Sequence, residues 1–360
     1  RAFECANVPF CIVNVAPGRN VRQKDLSVQQ WVGDEPVYAF NIFCMTGFEM
    51  CRYVLESGLA NLESKYNIGL WPWELEDWPS TWRHAYTLVD EIWGISEFTA
   101  NSYRAAPVPV VPMPLPVVIS DIASLGRPHW NLPTSAYLFV FSFDMNSTIS
   151  RKNPRAVIEA FKQAAQDRHT DEVGLVLKIS HSDSNAAAWR EIKKLIAGDS
   201  RIHVIAREMR KPEVLALYSC CDCYVSLHRS EGFGRALAEA QLLGLALIAT
   251  GYSGNLDFCS PPTDLVDYQL VSLGDGDYPN GAGQRWADPD AAHGARLMRD
   301  SMERSTDRAP LNYSTHRFST EFCGGKYSKR LNDIVQSQSP RRVQENEGEA
   351  DGREHEAILS

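Results

Sequence analysis

The sequence predicts an α/β protein of two domains, the second of them a doubly wound parallel sheet. Three observations carry this. Strand-like and helix-like segments alternate from about residue 136 onward. A proline-rich stretch at residues 107–116 divides the chain. Its 360 residues are also long for a single core.

Taken in order, residues 10–15, 37–43 and 66–70 read as strands, and residues 81–93 and 96–104 as helices. Residues 107–116 (PVPVVPMPLP) hold too many prolines for a helix or a central strand and predict a linker or an extended crossing between two domains. Residues 136–143 (AYLFVFSF) are apolar and aromatic, as a buried parallel strand requires. The segment 154–166 brings Ala156, Val157, Ala160, Phe161 and Ala164 to one helical face, with Asn153 and Pro154 suited to N-cap and N1. Strands at 173–178, 202–206, 223–227 and 246–250 then alternate with helices at 187–197, 212–219 and 234–243. Strand, helix, strand at this spacing builds a parallel sheet covered on both faces. Beyond residue 337 too few apolar residues remain to offset ordering entropy, which predicts a disordered tail. The expected division is therefore 1–117, 118–336 and 337–360.

The apolar share of 44% and charged share of 22% are those of an ordinary globular protein. A formal charge of -9 argues against a general nucleic-acid binder. No apolar run approaches the roughly 20 residues that span a bilayer, which leaves peripheral association with a membrane open. The chain starts at Arg1 without a signal-peptide pattern and reads as an excerpt of a longer protein. Nine dispersed cysteines suit a reducing cytoplasm. Cys220-Cys221-Asp222-Cys223 lacks a second ligand pair at zinc spacing and reads as small buried hydrophobes.

The run Ser230-Glu231-Gly232-Phe233-Gly234-Arg235-Ala236-Leu237-Ala238-Glu239 follows a strand and opens a helix. In a doubly wound sheet, ligands bind at the carboxyl ends of the strands. Two glycines admit a ligand close to the backbone, and a helix N-terminus directs N–H groups at an anion such as a diphosphate. Both carboxylates can reach one ligand, although on spacing alone a solvated helix face is the simpler reading. Arg151 and Lys152 stand in another strand-to-helix loop, where they would neutralise charge on a leaving diphosphate. Lys178 ends a strand at the same crevice. Asp275-Gly276-Asp277 reads as a turn, and the histidines, His228 among them, show no ligand spacing. Most of the tryptophans between Trp71 and Trp93 are expected in packing.

The segment resembles the Glu-x7-Glu motif of the retaining glycosyltransferases of family 4, among the group 1 glycosyltransferases. The likeness extends through Leu227–Gly234, Ala238-Glu239-Ala240, Leu247–Thr250 and Gly251–Asn255, and a second block runs from Phe143-Asp144 to Ser150–Phe161. Residues 66–76, with Val89–Trp93 and Ser96-Glu97-Phe98, are similar to the end of that family's acceptor domain. The resemblance implies two Rossmann-like domains (the GT-B fold). The first would be truncated, because no Gly-rich acceptor loop is found in residues 1–25.

It further implies transfer of a sugar, a hexose by expectation, from a nucleotide sugar to a carbohydrate or lipid-linked acceptor in polysaccharide or lipopolysaccharide synthesis. No metal and no further cofactor would be needed. The catalytic set would be Glu231, Lys152 and Arg151; the family places its arginine earlier, where this chain has Asp144. Donor binding would fall to the backbone of Gly232, Phe233 and Gly234, to Glu239 on the ribose, to Lys178, and to Arg207 in the loop 206–209. Glu74 and Trp73 are acceptor-side candidates. The alternatives are a non-catalytic remnant that only binds a nucleotide sugar, and a sugar phosphorylase or epimerase on the same fold.

Overall fold

The computed structural model describes residues 1–15, 27–304 and 313–347, with side chains as far as residue 337. Its first unit is a four-stranded parallel sheet, β1 (Phe40–Phe43), β2 (Tyr66–Leu70), β3 (Glu91–Gly94) and β4 (Val110–Pro112), in that spatial order. Helix α1 (Gly47–Ser57) joins β1 to β2, and the short α2 (Glu97–Ser102) joins β3 to β4. A two-residue parallel pair, Ile12–Val13 with Val32–Gly33, is what forms of the strand expected at residues 10–15. Residues 16–26, part of the stretch searched for a Gly-rich loop, lie outside the described residues.

The sequence reading is refined at three places here. The helix read at residues 81–93 is a 3-10 stretch, Ser80–Leu88, followed by β3. Every residue of β3 is buried between β2 and β4, so its backbone groups find partners only in the ladder. The proline-rich linker contributes β4 before it crosses over; as the sheet's edge strand it tolerates prolines that lack a donor. Helix α1 was not expected, yet its start is written in the sequence as a capping box. The Thr46 Oγ1 accepts from the Glu49 amide, and the Glu49 carboxylate accepts from the Thr46 amide.

The second unit is a six-stranded parallel sheet. Its elements run β5 (Tyr137–Asp144), α3 (Pro154–Ala164), β6 (Val173–Ser180), α4 (Ala186–Ile196), β7 (Ile202–Ala206) and α5 (Lys211–Ser219). They continue with β8 (Cys223–Ser226), α6 (Arg235–Leu242), β9 (Ala246–Thr250) and β10 (Asp264–Val266). The spatial order is β10-β9-β8-β5-β6-β7, so the winding direction reverses between β5 and β8. One face buries Phe139, Phe161, Leu175 and Val225 beneath α3, and the other buries Val140, Leu217, Leu237 and Leu247 beneath α5 and α6. Cys221 and Cys223 belong to these cores, as small apolar side chains.

An antiparallel hairpin, β11 (Tyr268–Ser272) and β12 (Arg285–Pro289), precedes α7 (Ala291–Arg304). It leaves the second unit and places Trp286 in the aromatic core of the first, with Trp71, Trp73, Trp78 and Tyr103. The last helix, α8 (Thr320–Glu347), also returns to the first unit. Its Cys323, Tyr327 and Ile334 bury Ile68, Trp93 and Met113, and Arg330 meets the fully buried Glu91 carboxylate, Nε to Oε1 at 2.8 Å. Thus residues 320–336, expected in the donor domain, pack on the other one. The helix also continues to Glu347 through part of the tail expected to be disordered. Residues 348–360 lie outside the described residues.

Candidate functional site

The two loops that carry the candidate residues leave the carboxyl ends of β5 and β8, the adjacent strands at which the winding reverses. They are knitted together by backbone. The Arg229 amide donates to the Arg151 carbonyl at 2.8 Å, and the Arg151 Nη1 donates to the Ser230 carbonyl at 2.8 Å. Asn153 stands at the N-cap of α3 with Pro154 at N1, but its side chain caps nothing. In a left-handed conformation (φ 53°), it donates instead to the Leu227 carbonyl at 3.1 Å.

This stitching gathers three ionic groups. Lys152 Nζ lies 2.5 Å from Glu231 Oε1, and Arg151 Nη1 lies 3.2 Å from Glu231 Oε2. Burial by itself would raise the Glu231 carboxyl; the charges of Lys152 and Arg151 outweigh it and hold the group at about 2. Burial would likewise lower Arg151, and Glu231 with Glu74 more than offsets that, keeping it above the usual range. Arg151 is 4% exposed, yet its Nε has no hydrogen-bond partner. A buried, unpaired donor on one of two neighbouring cations is a place for an anion.

Glu231 is held from behind. Its amide donates to Ser253 Oγ at 2.8 Å, and its carbonyl accepts from the Gly254 amide at 2.9 Å. Asn255 Nδ2 donates to the Thr250 carbonyl, which leaves its Oδ1 to accept from His228 Nε2 at 3.0 Å. His228 is therefore the Nε2–H tautomer, with Nδ1 accepting from Ser226 Oγ at 3.0 Å, and burial lowers its pKa. Both ring nitrogens are committed, so His228 orders the loop beneath Glu231. Ser253 and Asn255 were legible only as part of the resembling loop.

Gly234 has φ +93°, a conformation that disfavours side chains, and it forms the N-cap of α6. The first turn of that helix, four residues beyond Glu231, leaves N–H groups without intrahelical partners. The Phe233 ring packs on Phe258 in the core, so only its backbone faces the loop. The Gly232 carbonyl accepts from Ser96 Oγ at 2.5 Å and Thr99 Oγ1 at 3.1 Å, two first-unit hydroxyls that sequence reasoning missed. Glu239 is 3% exposed and paired with Lys211, at the start of α5. Lys178 is buried, its amine lowered by that burial and bonded to Ser180.

Two of the named side chains lie outside the cluster. Arg207 is exposed, and its guanidinium lies over the Trp130 ring, 5.3 Å from the centroid, rather than in the cluster. Trp73 is 3% exposed and spends its ring on Phe48, Trp78 and Tyr278, so it offers no face to a sugar. Its carbonyl, by contrast, lines the site and accepts from Thr99 Oγ1 at 3.0 Å. Glu74 does reach the cluster: its Oε1 lies 3.1 Å from Arg151 Nη2, across the two units. Asp275-Gly276-Asp277 is a turn closed by Asp277, which accepts from the Gly274 amide. A cavity of about 630 Å3 lined by Arg127, Tyr137 and Asp222 opens at the amino ends of β5 and β8, the end opposite the cluster.

Residues 137–261, which hold five of the six strands of the second sheet and both loops, match the family described as Glycosyl transferases group 1. No curated protein sequence matches the chain significantly. Solved structures share the fold. The pneumococcal O-GlcNAc transferase GtfA, in complex with UDP and GlcNAc, is 15% identical with a TM-score of 0.53 over 82% of this chain. Anabaena HepE, in complex with UDP and glucose, is 14% identical with a TM-score of 0.58, covering 82% of this chain and 78% of that one. A glycosyltransferase from Rickettsia africae is 14% identical with a TM-score of 0.57, covering 76% and 71%. The chain spans 57% of the length of the pneumococcal structure. The architecture is thus the two-unit α/β fold of these glycosyltransferases. No helix among the described residues is long and apolar enough to cross a membrane.

Proposed function

We propose that this chain transfers a sugar from a nucleotide-sugar donor to a carbohydrate or lipid-linked acceptor, with retention of anomeric configuration. The observation that carries it is the meeting of Arg151, Lys152 and Glu231 at the switch point of the second sheet, with a buried Arg151 Nε that has no partner. The family match over this segment and the UDP complexes of structures with the same fold support the same reading. The donor diphosphate would lie on Arg151, Lys152 and the start of α6, with Glu239 on the ribose. Lys178, beside the crevice, is a further cation for the donor.

In the reaction the anomeric C–O bond to the diphosphate breaks, and its electron pair leaves with the nucleoside diphosphate. Arg151 and Lys152 stabilise the growing negative charge, which is the work a metal ion would otherwise do. The acceptor hydroxyl attacks from the same face, and its proton passes to the departing phosphate oxygen. A hexose donor, a role in polysaccharide synthesis and a cytoplasmic setting complete the reading. Nine free cysteines support the last of these.

The test is incubation with UDP-, GDP- and dTDP-sugars together with a panel of p-nitrophenyl hexosides, reading products by NMR. A retained anomer in the transfer product is expected, and an inverted one would refute the mechanism. Phosphate-dependent cleavage or isomerised donor would instead identify a phosphorylase or an epimerase. Binding without turnover would identify a non-catalytic remnant.

A further inference from the structure

The loop between β11 and β12 belongs to the second unit by chain but to the first by contact. Gln284 Oε1 accepts from the Asp77 amide at 3.1 Å, and Asn280 Oδ1 accepts from Trp82 Nε1 at 3.4 Å. Gly281 is pressed so closely on Leu75 that a methyl there would sit 3.2 Å from its side chain. At the centre of the loop, the Tyr278 ring stands edge-on to Trp73, with centroids 5.4 Å apart. Its phenol donates to Glu74 Oε2.

The Glu74 carboxylate is thus held at both oxygens, Oε2 by Tyr278 and Oε1 by Arg151 at 3.1 Å. Its side chain still keeps 29% of its surface open. Burial and the Glu74 charge keep the Tyr278 phenol protonated, and so a donor, throughout the working pH range. Because Arg151 and Lys152 are both already paired with carboxylates, an arriving diphosphate must compete with those carboxylates for the cations.

We propose that Tyr278 is a positioning residue that acts through Glu74. When the diphosphate takes Arg151, Glu74 Oε1 loses its partner. Tyr278 keeps hold of Oε2, so the carboxylate stays in the cleft instead of turning to solvent. Oε1 then accepts a hydrogen bond from an acceptor hydroxyl other than the attacking one and so orients the acceptor towards the donor. Donor occupancy thereby makes the acceptor contact ready. This inference rests on the glycosyl-transfer reading above.

The test compares the wild type with Tyr278→Phe, which keeps the ring on Trp73 and removes only the phenol oxygen, and with Glu74→Gln. Calorimetric titration with UDP and GDP reads the donor side. Turnover of UDP-glucose and GDP-mannose with p-nitrophenyl hexosides reads the acceptor side. Tyr278→Phe is expected to bind the nucleotides within about threefold of wild type while kcat/KM for the acceptor falls about tenfold, the scale of one hydrogen bond to a charged group. Its share of donor hydrolysis by water should rise, and its thermal midpoint should hold. Glu74→Gln should show the same acceptor defect with tighter nucleotide binding, because a competing charge is gone.

Wild-type acceptor kinetics in Tyr278→Phe would overturn the inference alone. Nucleotide affinity that falls in step with turnover would also overturn it, by giving the loop a purely structural role. A wild-type chain that binds neither nucleotide would instead overturn the transfer reading on which it rests.

Discussion

Gly254 is packed against the Gly232 carbonyl so tightly that a methyl group on it would sit 2.0 Å from that oxygen. The same methyl would lie 2.7 Å from Ser96 Oγ, which reaches the Gly232 carbonyl from the first unit. Backbone, not a flexible side chain, sets this limit. Gly254→Ala must therefore displace the loop that holds Glu231. We expect a loss of about 1–3 kcal/mol, the usual scale of overpacking, together with weakened nucleotide binding. Urea unfolding and UDP titration check it, and an unchanged urea midpoint would contradict the packing described.

Arg151 carries the carboxylates of both units, Glu74 at 3.1 Å and Glu231 at 3.2 Å. Arg151→Ala leaves Glu231 with Lys152 alone in a buried site, and breaking such a pair costs about 3–5 kcal/mol. Stabilisation by UDP or GDP in a thermal-shift titration should vanish as well. Arg151→Lys should keep more stability than Arg151→Ala but recover little nucleotide affinity, since an ammonium cannot serve three partners in one plane. Full nucleotide affinity in Arg151→Lys would argue against a shaped guanidinium site.

The sign of the Glu231 shift gives a pH dependence. Its carboxyl falls from an ordinary 4.5 to about 2 in the folded chain, so the folded state favours the ionised form. The resulting stabilisation is complete above about 4.5, shrinks as the pH falls and is gone below about 2. Glu231→Gln should flatten the pH-stability curve within that acid window and lose transfer. Urea midpoints measured across the window, wild type against variant, decide it; parallel curves would remove Glu231 as the source.

The Glu91 carboxylate is fully buried and is met by Arg330 from α8, with Tyr66 and Trp93 donating as well. Arg330→Ala strands that charge and should cost about 3–5 kcal/mol. The double variant Glu91→Gln with Arg330→Ala should recover part of the loss, because the uncompensated charge is removed. Additive losses would show that the two groups do not act as a pair.

Much of the second unit was legible in the sequence, because periodicity, N1 proline and strand-ending glycines are local signals. The strands Ile202–Ala206 and Ala246–Thr250 were read to the residue. The two loops carrying Arg151, Lys152 and Glu231 were legible for the same reason: a strand ending and a helix beginning define where a ligand crevice opens. The alternation could not say which strands are neighbours. The order that sets β5 beside β8, and so brings Lys152 to Glu231 across 79 positions, belongs to the tertiary structure.

The first unit was less legible because its elements depend on their neighbours. The segment Glu91–Gly94 continues a helical pattern in isolation and becomes a strand only because β2 and β4 offer it a ladder on both sides. Glu74 was one of three acidic residues between Trp73 and Trp78 until folding placed it on Arg151. Tyr278, in a Gly-rich turn, gave no sign beyond being the one aromatic side chain between Gly274 and Gly283. It meets Glu74 across 204 residues, a separation that no local pattern encodes. The sequence by itself determined the fold class, which is written in local spacing, and it marked the run at residues 230–239 through a resemblance. Only the tertiary structure decided that the run at residues 230–239 shares its cations with a carboxylate from the other unit, because that pairing depends on how two separately patterned sheets are closed on one another.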